Sequence, residues 1–337
     1  MTISQPKSRE LGTRQRREYV IQLALAFAAT YLLWGSTYLA IRYSVETIPP
    51  LVTAAIRFSV AGCILFAWAW ARGFRPQSQH WIAGTIAGAL FFLVSHGILY
   101  WAEQTVASGV AALLIATEPM FILVLGWLAG QQKISRLSLL GLGIGVLGVG
   151  LLTGADLAMK NSSLLGLAAV LLGSVSWAAA VVLSPKLHLP EEPLARTAIP
   201  LLCGAVLLLI GAGVSGELHR IQWSAISLRS VLGLGYLIIF GSVVAFTAYT
   251  WLLQQCPPTL VATRAYANPI VALLLGWLFA SEPLTARVVL ASLAILGAIV
   301  LIRRGERTTA TPSAVVSRTA EVRRDSGCDE LGVPETS

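Results

Sequence analysis

Long apolar runs separated by brief polar interruptions dominate the chain from residue 20 to residue 303. A stretch of about 20 apolar residues at about 1.5 Å rise crosses a hydrocarbon layer. Ten stretches meet that length, with approximate limits 20–42, 50–71, 81–102, 109–130, 136–154, 162–184, 197–215, 228–254, 259–280 and 284–303. They are numbered here as spans 1 to 10. The connectors are short, so neighbouring spans run antiparallel. Residues 1–18 and 305–337 are polar and rich in Ser, Thr, Arg and Glu, and are expected to form disordered tails.

The pattern repeats. Glu118-Pro119 heads Leu123, Leu125, Gly126, Trp127 and Leu128, and 150 residues later Asn268-Pro269 heads Leu273, Leu275, Gly276, Trp277 and Leu278. That offset places span 4 on span 9 and span 5 on span 10. Each copy then holds five spans, an odd number, so consecutive copies lie in opposite orientations. The expected fold is an all-α integral membrane protein of ten transmembrane helices in two inverted five-helix repeats, residues 19–155 and 160–304. Such repeats place a site between them near the midplane, and exchanging their conformations gives alternating access.

Composition agrees with lipid as the solvent: 56% of residues are hydrophobic and only 12% charged, against about 25% charged in soluble domains. The net charge of +8 is concentrated at the ends. Lys7, Arg9, Arg14, Arg16 and Arg17 precede span 1, and Arg303, Arg304, Arg307, Arg318, Arg323 and Arg324 follow span 10. With both termini inside, Arg72, Arg75, Lys133, Arg136, Lys186 and Arg196 join them. Arg42, Lys160, Arg220, Arg229 and Arg287 are left outside. Basic residues favour the cytoplasmic side, so both termini are expected there. No aromatic residues interleave the tail arginines as a nucleic-acid stacking platform requires. Cys63, Cys203, Cys256 and Cys328 lack CxxC spacing and read as small packing residues. The apolar run from Val20 to Ala40 is too long for a signal-peptide core and reads as a retained first span.

Ionisable side chains inside spans cost about 2.5–3.5 kcal/mol each on insertion scales, so each needs a reason. Arg57 in span 2 and Glu118 in span 4 fall at similar depth, and His96 in span 3 at comparable height. An Arg57–Glu118 pair is feasible, either as a neutralised structural pair or as a site in which Arg57 attracts a carboxylate and Glu118 takes an amine or a proton. His96 reads as an interhelical hydrogen-bonding residue or a titrating one; no second His or Cys stands at zinc-ligand spacing. Glu103 is expected at the outer end of span 3 as a helix-end partner, and Arg264 is expected to reach back to the cytoplasmic headgroups. The prolines after Glu118 and Asn268 free a carbonyl one turn earlier, which needs a partner or a cavity. Trp34, Tyr38, Tyr100, Trp101, Trp177, Tyr236, Tyr249 and Tyr266 are candidate aromatic lining or interface residues. The five glycines Gly141, Gly143, Gly145, Gly148 and Gly150 in span 5 suit close helix packing, a sliding surface or a dimer contact.

These pieces resemble the drug/metabolite transporter superfamily, in its ten-helix EamA-type branch. The likeness rests on Trp34-Gly35-Ser36-Thr37 with Pro49-Pro50, on Ala55, Arg57-Phe58 and Ala61-Gly62, and on Ala102-Glu103 through Ser108-Gly109 to Glu118-Pro119. It is completed by Tyr266, Asn268-Pro269, Gly276 and Glu282-Pro283-Leu284-Thr285. It covers residues 20–303 through the order and duplication of the pieces. It implies export or exchange of small metabolites, amino acids or amphiphilic drugs, across a bacterial inner membrane. The family's acidic residue at the span 4–5 turn is present as Glu282 in the second repeat but replaced by Gln131-Gln132-Lys133 in the first.

The candidate substrate-binding set is therefore Trp34, Ser36, Tyr38, Arg57, His96, Tyr100, Glu118, Trp177, Tyr236, Tyr249, Tyr266 and Asn268. No cofactor or metal is expected. The expected partners are a small-molecule substrate, the lipid bilayer and, as a weaker expectation, protons, with the chain a monomer or weak dimer. A passive channel is the competing reading. An enzyme is disfavoured, since the chain carries no HExxH, no GxSxG and no catalytic Asp pair in a span.

Overall fold

The computed structural model describes residues 13–158, 163–256, 261 and 263–309. Ten helical segments account for the apolar runs: α1 Thr13–Ser44, α2 Pro50–Ala71, α3 Ser78–Ala102, α4 Ser108–Leu128, α5 Arg136–Ala158, α6 Leu164–Leu183, α7 Pro193–Val214, α8 from Leu228–Tyr236 to Ala245–Gln255, α9 Arg264–Ala280 and α10 Ala286–Thr309. Among the described residues nine helices are long and apolar enough to cross a membrane, and α9 is an apolar helix of 17 residues. Side chains such as Leu25, Ile82, Leu147 and Val214 stand exposed on the outer surfaces. That is the arrangement a lipid solvent selects, because only helices satisfy every backbone group internally there.

The ends run further than the apolar pattern. Residues 13–18 and 305–309 are helical, although they fall in the stretches expected as disordered tails. Arg, Gln and Glu are good helix formers, so the helices continue past the hydrocarbon limit. Residues 1–12 and 310–337, with the remainder of both tails, Lys160 and Cys328, lie outside the described residues.

Two helices of the first half pack along their counterparts in the second: α2 along α7, and α5 along α10. The α5–α10 seam uses the small residues of α5. A Cβ on Gly141 would sit 2.8 Å from the Ala298 carbonyl, and one on Gly148 would sit 3.0 Å from Ala294 Cβ. Gly145 lies against Met120 and Ala298, whereas Gly143 and Gly150 face open space. Close packing thus accounts for three of the five glycines.

Three spans are irregular at mid-depth. In α3 the residues Ala89–His96 form a π-helical stretch, and in α8 the residues Leu237–Val244 form another, each 8 residues long. These two spans occupy the same place in their repeats. α4 breaks at Ala116-Thr117, leaving Ser108–Ile115 and Glu118–Leu128. Pro119 has no amide to donate into that turn, and the neighbouring Leu114 carbonyl accepts from the hydroxyls of Thr117 at 2.5 Å and Ser174 at 3.3 Å. Pro269, by contrast, sits inside a continuous α9.

Candidate functional site

The irregular stretches converge on a central cavity of about 320 Å³. Its walls come from both halves: Trp34, Tyr38, Arg57, Phe58, Phe92, Ser95, His96 and Glu118 from the first, and Trp177, Ser242, Phe246, Tyr249, Arg264 and Asn268 from the second. A second cavity of about 240 Å³ shares Tyr38, Ile115, Glu118, Trp177, Tyr249, Arg264 and Asn268 with it, and continues past Ile122 to Arg303. The space therefore leads from mid-depth toward the end of the bundle that carries the chain termini.

Side chains of the two π-helical stretches hydrogen-bond carbonyls of those same stretches. His96 Nδ1 lies 2.9 Å from the Phe91 carbonyl, and Ser242 Oγ donates to the Leu237 carbonyl at 3.0 Å. Each reaches back five residues, the spacing of a π-turn. A carbonyl only accepts, so in the neutral ring Nδ1 carries the proton and Nε2 is left as an acceptor. Ser176 of α6 covers a third carbonyl, that of Leu90, at 2.8 Å.

Arg57 is 6% exposed and is held by fixed donors-to-acceptors geometry. Its Nε donates to Ser242 Oγ at 3.0 Å and its Nη1 to the Tyr100 hydroxyl at 2.9 Å. Its guanidinium carbon stands 5.2 Å from the Phe58 ring centroid. The anticipated pair with Glu118 does not form: among the described residues Arg57 has no carboxylate within ion-pair distance. Both line the cavity without meeting, and Arg57 spends its donors on Ser242 and Tyr100 instead.

The other cation is Arg264, and here the expectation of a cytoplasmic headgroup contact is overturned. Its guanidinium carbon lies 4.7 Å from the Trp34 ring centroid and 5.3 Å from that of Tyr249, rings themselves 5.1 Å apart. Stacking on two aromatic faces holds the half-buried guanidinium in the cavity. The second half thus contributes a charge to the cavity. Glu118 borders both cavities and makes no ion pair with any described residue. Asn268 Oδ1 is buried without a hydrogen-bond donor.

An aromatic wall faces these groups. Phe58 packs on Phe92 at 4.8 Å and edge-on to His96 at 5.2 Å, and His96 lies 5.4 Å from Trp177. Of the residues singled out in the sequence, Trp34, Tyr38, Arg57, His96, Glu118, Trp177, Tyr249 and Asn268 line the cavity. Four do not. Tyr100 stands behind Arg57 as its hydrogen-bond support. Ser36 and Tyr236 are spent on each other at 2.6 Å, tying α1 to α8. Tyr266 packs against the apolar core. Sequence reasoning missed Ser242, whose only signal is a lone hydroxyl in an apolar run, and Phe92 and Phe246, which nothing in the pattern separates from lipid-facing rings.

Two five-helix halves around a polar cavity inside an apolar bundle, with α2 along α7 and α5 along α10, define a membrane transporter. The chain belongs to the EamA-like transporter family, whose model matches it twice, over residues 21–154 and 164–304. It is similar to the uncharacterized inner membrane transporter YedA of Escherichia coli (strain K12), 37% identical over 294 residues, covering 86% of this chain and 94% of that protein. The uncharacterized transporter YoaV of Bacillus subtilis (strain 168) is 26% identical over 279 residues, with 82% and 94% covered. Protein PecM of Dickeya dadantii (strain 3937) is 26% identical over 276 residues, with 80% and 89% covered. A solved crystal structure shares the fold, with a TM-score of 0.57 at 21% identity, over 85% of this chain and 98% of that one.

Proposed function

We infer that the protein moves small zwitterionic or amphiphilic metabolites, amino acids and related compounds first among them, across a bacterial inner membrane by alternating access. The observation that carries this reading is the central cavity. Arg57 offers a guanidinium and Glu118 a carboxylate, neither engaged in an ion pair with a described residue, and aromatic side chains line the same cavity. A substrate carboxylate meets Arg57, its amine meets Glu118 and Asn268 Oδ1, and its apolar part rests on Phe58, Phe92 and Trp177. Trp34, Tyr38, His96, Tyr249 and Arg264 complete the enclosure. About 320 Å³ is at the small end of ligand pockets, which run from about 300 to 1,000 Å³. That size favours single metabolites over large drugs.

The excess of Arg and Lys at the end that carries the termini supports a cytoplasmic location for both; on that reading the accessible cavity faces inward and export is the natural direction. The inner membrane is supported by the name of the relative from Escherichia coli. Counterflow in proteoliposomes, with candidates chosen by a thermal-shift screen, tests the reading. Saturable uptake stimulated by substrate on the opposite side is expected. Flux that neither saturates nor responds to trans substrate would identify a passive channel instead. Reporter fusions at both ends check the topology.

A further inference from the structure

The end of the bundle opposite the termini carries a charge cluster, two buried carboxyls with a half-buried arginine, that the cavity does not use. Glu282, 8% exposed in the turn between α9 and α10, binds Arg42 of α1 with Oε1 at 2.5 Å. The same oxygen accepts from the Ser108 amide at 2.7 Å and the Ser108 hydroxyl at 2.8 Å, and Oε2 accepts from the Gly109 amide at 2.9 Å. A carboxylate from the second repeat therefore caps the first turn of α4 in the first repeat and clasps α1. Glu103 stands beside it. It is 2% exposed, and neither of its oxygens meets a donor at hydrogen-bonding geometry. The charged and titratable groups that act on it are Glu282, Arg42 and Arg57, with Tyr38 and Tyr100 on the cavity side.

We propose that Glu103 is a proton-binding site that controls the Glu282–Arg42 latch on this face. It rests on the reading that the two halves alternate. With Glu103 protonated, the cluster holds one guanidinium and one carboxylate and is neutral, so it stays buried. When the Glu103 O–H bond breaks and the proton passes to water on this face, two carboxylates share Arg42 at the latch, since Arg57 is held by Ser242 and Tyr100. A second charge on buried carboxyls is costly, and Glu103 competes with Glu282 for Arg42. The clasp between α1, α4 and the α9–α10 turn loosens, and the face opens. Glu103 follows directly on the span Ser78–Ala102, and burial, then the nearby Glu282, push its carboxyl well above the usual range while Arg42 opposes them. Among the described residues, the equivalent turn of the opposite face carries no carboxyl. There the matching turn seats Gln132 on Gly126 as Glu282 sits on Gly276, but the Gln132 amide donates to the carbonyls of Ile122 at 3.1 Å and Leu123 at 3.0 Å and does not titrate. One gate responds to protons and its counterpart turn does not.

Spin labels at Gln104→Cys and Leu284→Cys, with Cys63, Cys203, Cys256 and Cys328 replaced by Ser, read the opening of this face in liposomes by double electron–electron resonance. The distance should lengthen as pH rises. Glu103→Gln should abolish that shift and hold the short distance at every pH, whereas Glu282→Gln should give the long distance already in acid. Glu103→Asp, a second variant that retains a titrating carboxyl, should move the midpoint. A wild type with no pH response, a Glu103→Gln protein that keeps it, or an unmoved Glu103→Asp midpoint overturns the proposal. Counterflow on the same liposomes separates the two readings. A pH-responsive gate without counterflow leaves Glu103 standing and removes the transport reading; counterflow with a pH-insensitive gate removes Glu103 alone.

Discussion

Trp34 Nε1 donates to the Gly241 carbonyl at 2.9 Å, joining α1 of the first repeat to the π-helical stretch of α8 in the second. The ring also lies under Arg264. One side chain thus closes a loose backbone carbonyl and supports a cavity cation. Trp34→Phe keeps most of the ring and removes the donor. A net hydrogen bond is worth about 1 kcal/mol, so counterflow should fall about fivefold with the fold retained. The check is initial rate beside a detergent melting curve; an unchanged rate would make the bond incidental.

Arg57 reaches Ser242 and Tyr100 with two different nitrogens. A lysine ammonium cannot reproduce that fork. Arg57→Lys preserves the charge, yet substrate affinity should drop at least about tenfold, since each charged hydrogen bond contributes about 1.5–3 kcal/mol. Ligand-induced thermal shifts measure this directly. Affinity equal to wild type would mean that charge alone, without the fork, recruits the substrate.

Much of this was legible in the sequence, and the misses have physical causes. Apolar runs of spanning length mark helices because lipid leaves no alternative backbone solution, so α1 to α10 could be read directly. The Glu118-Pro119 and Asn268-Pro269 pair exposed the duplication. The direction each side chain takes was not legible. A helix apolar all round has no polar face to mark its inner side, so Tyr236 and Ser36 could not be seen to face one another. Nor could Arg264 be seen to lie between Trp34 and Tyr249, which are far away in sequence. The π-helical stretches Ala89–His96 and Leu237–Val244 leave no mark in an apolar run.

Glu118 makes no ion pair with a described residue, and Arg264, the cation that acts on it across the cavity, is held by the Trp34 and Tyr249 rings, so neutralising Glu118 leaves that arginine its aromatic support. Glu118→Gln should fold and melt like the wild type, while binding of amine-bearing substrates weakens by about one charged hydrogen bond, tenfold or more. Analogues lacking the amine should bind the variant and the wild type alike. Equal counterflow of an amine substrate by both would assign Glu118 to structure.

The crossing of α3 over α7 sets how far the first π-helical stretch can move. A Cβ on Gly88 would lie 2.7 Å from both the Gly204 amide nitrogen and the Pro200 carbonyl oxygen. Both obstacles are backbone, so no rotamer change relieves the clash, and the helices must part. Overpacking of this kind costs about 1–3 kcal/mol. Gly88→Ala should lower the melting temperature and displace Phe92, whose Cβ lies so near Gly204 that a Cβ added there would meet it at 2.6 Å, so that counterflow falls with stability. Gly143→Ala is the matched control: nothing lies within 4 Å of its Cβ, and alanine is the better helix former, so that variant should melt at or above the wild-type temperature. If Gly88→Ala matched Gly143→Ala in both stability and rate, the α3–α7 crossing would not be the tight pivot that its geometry describes.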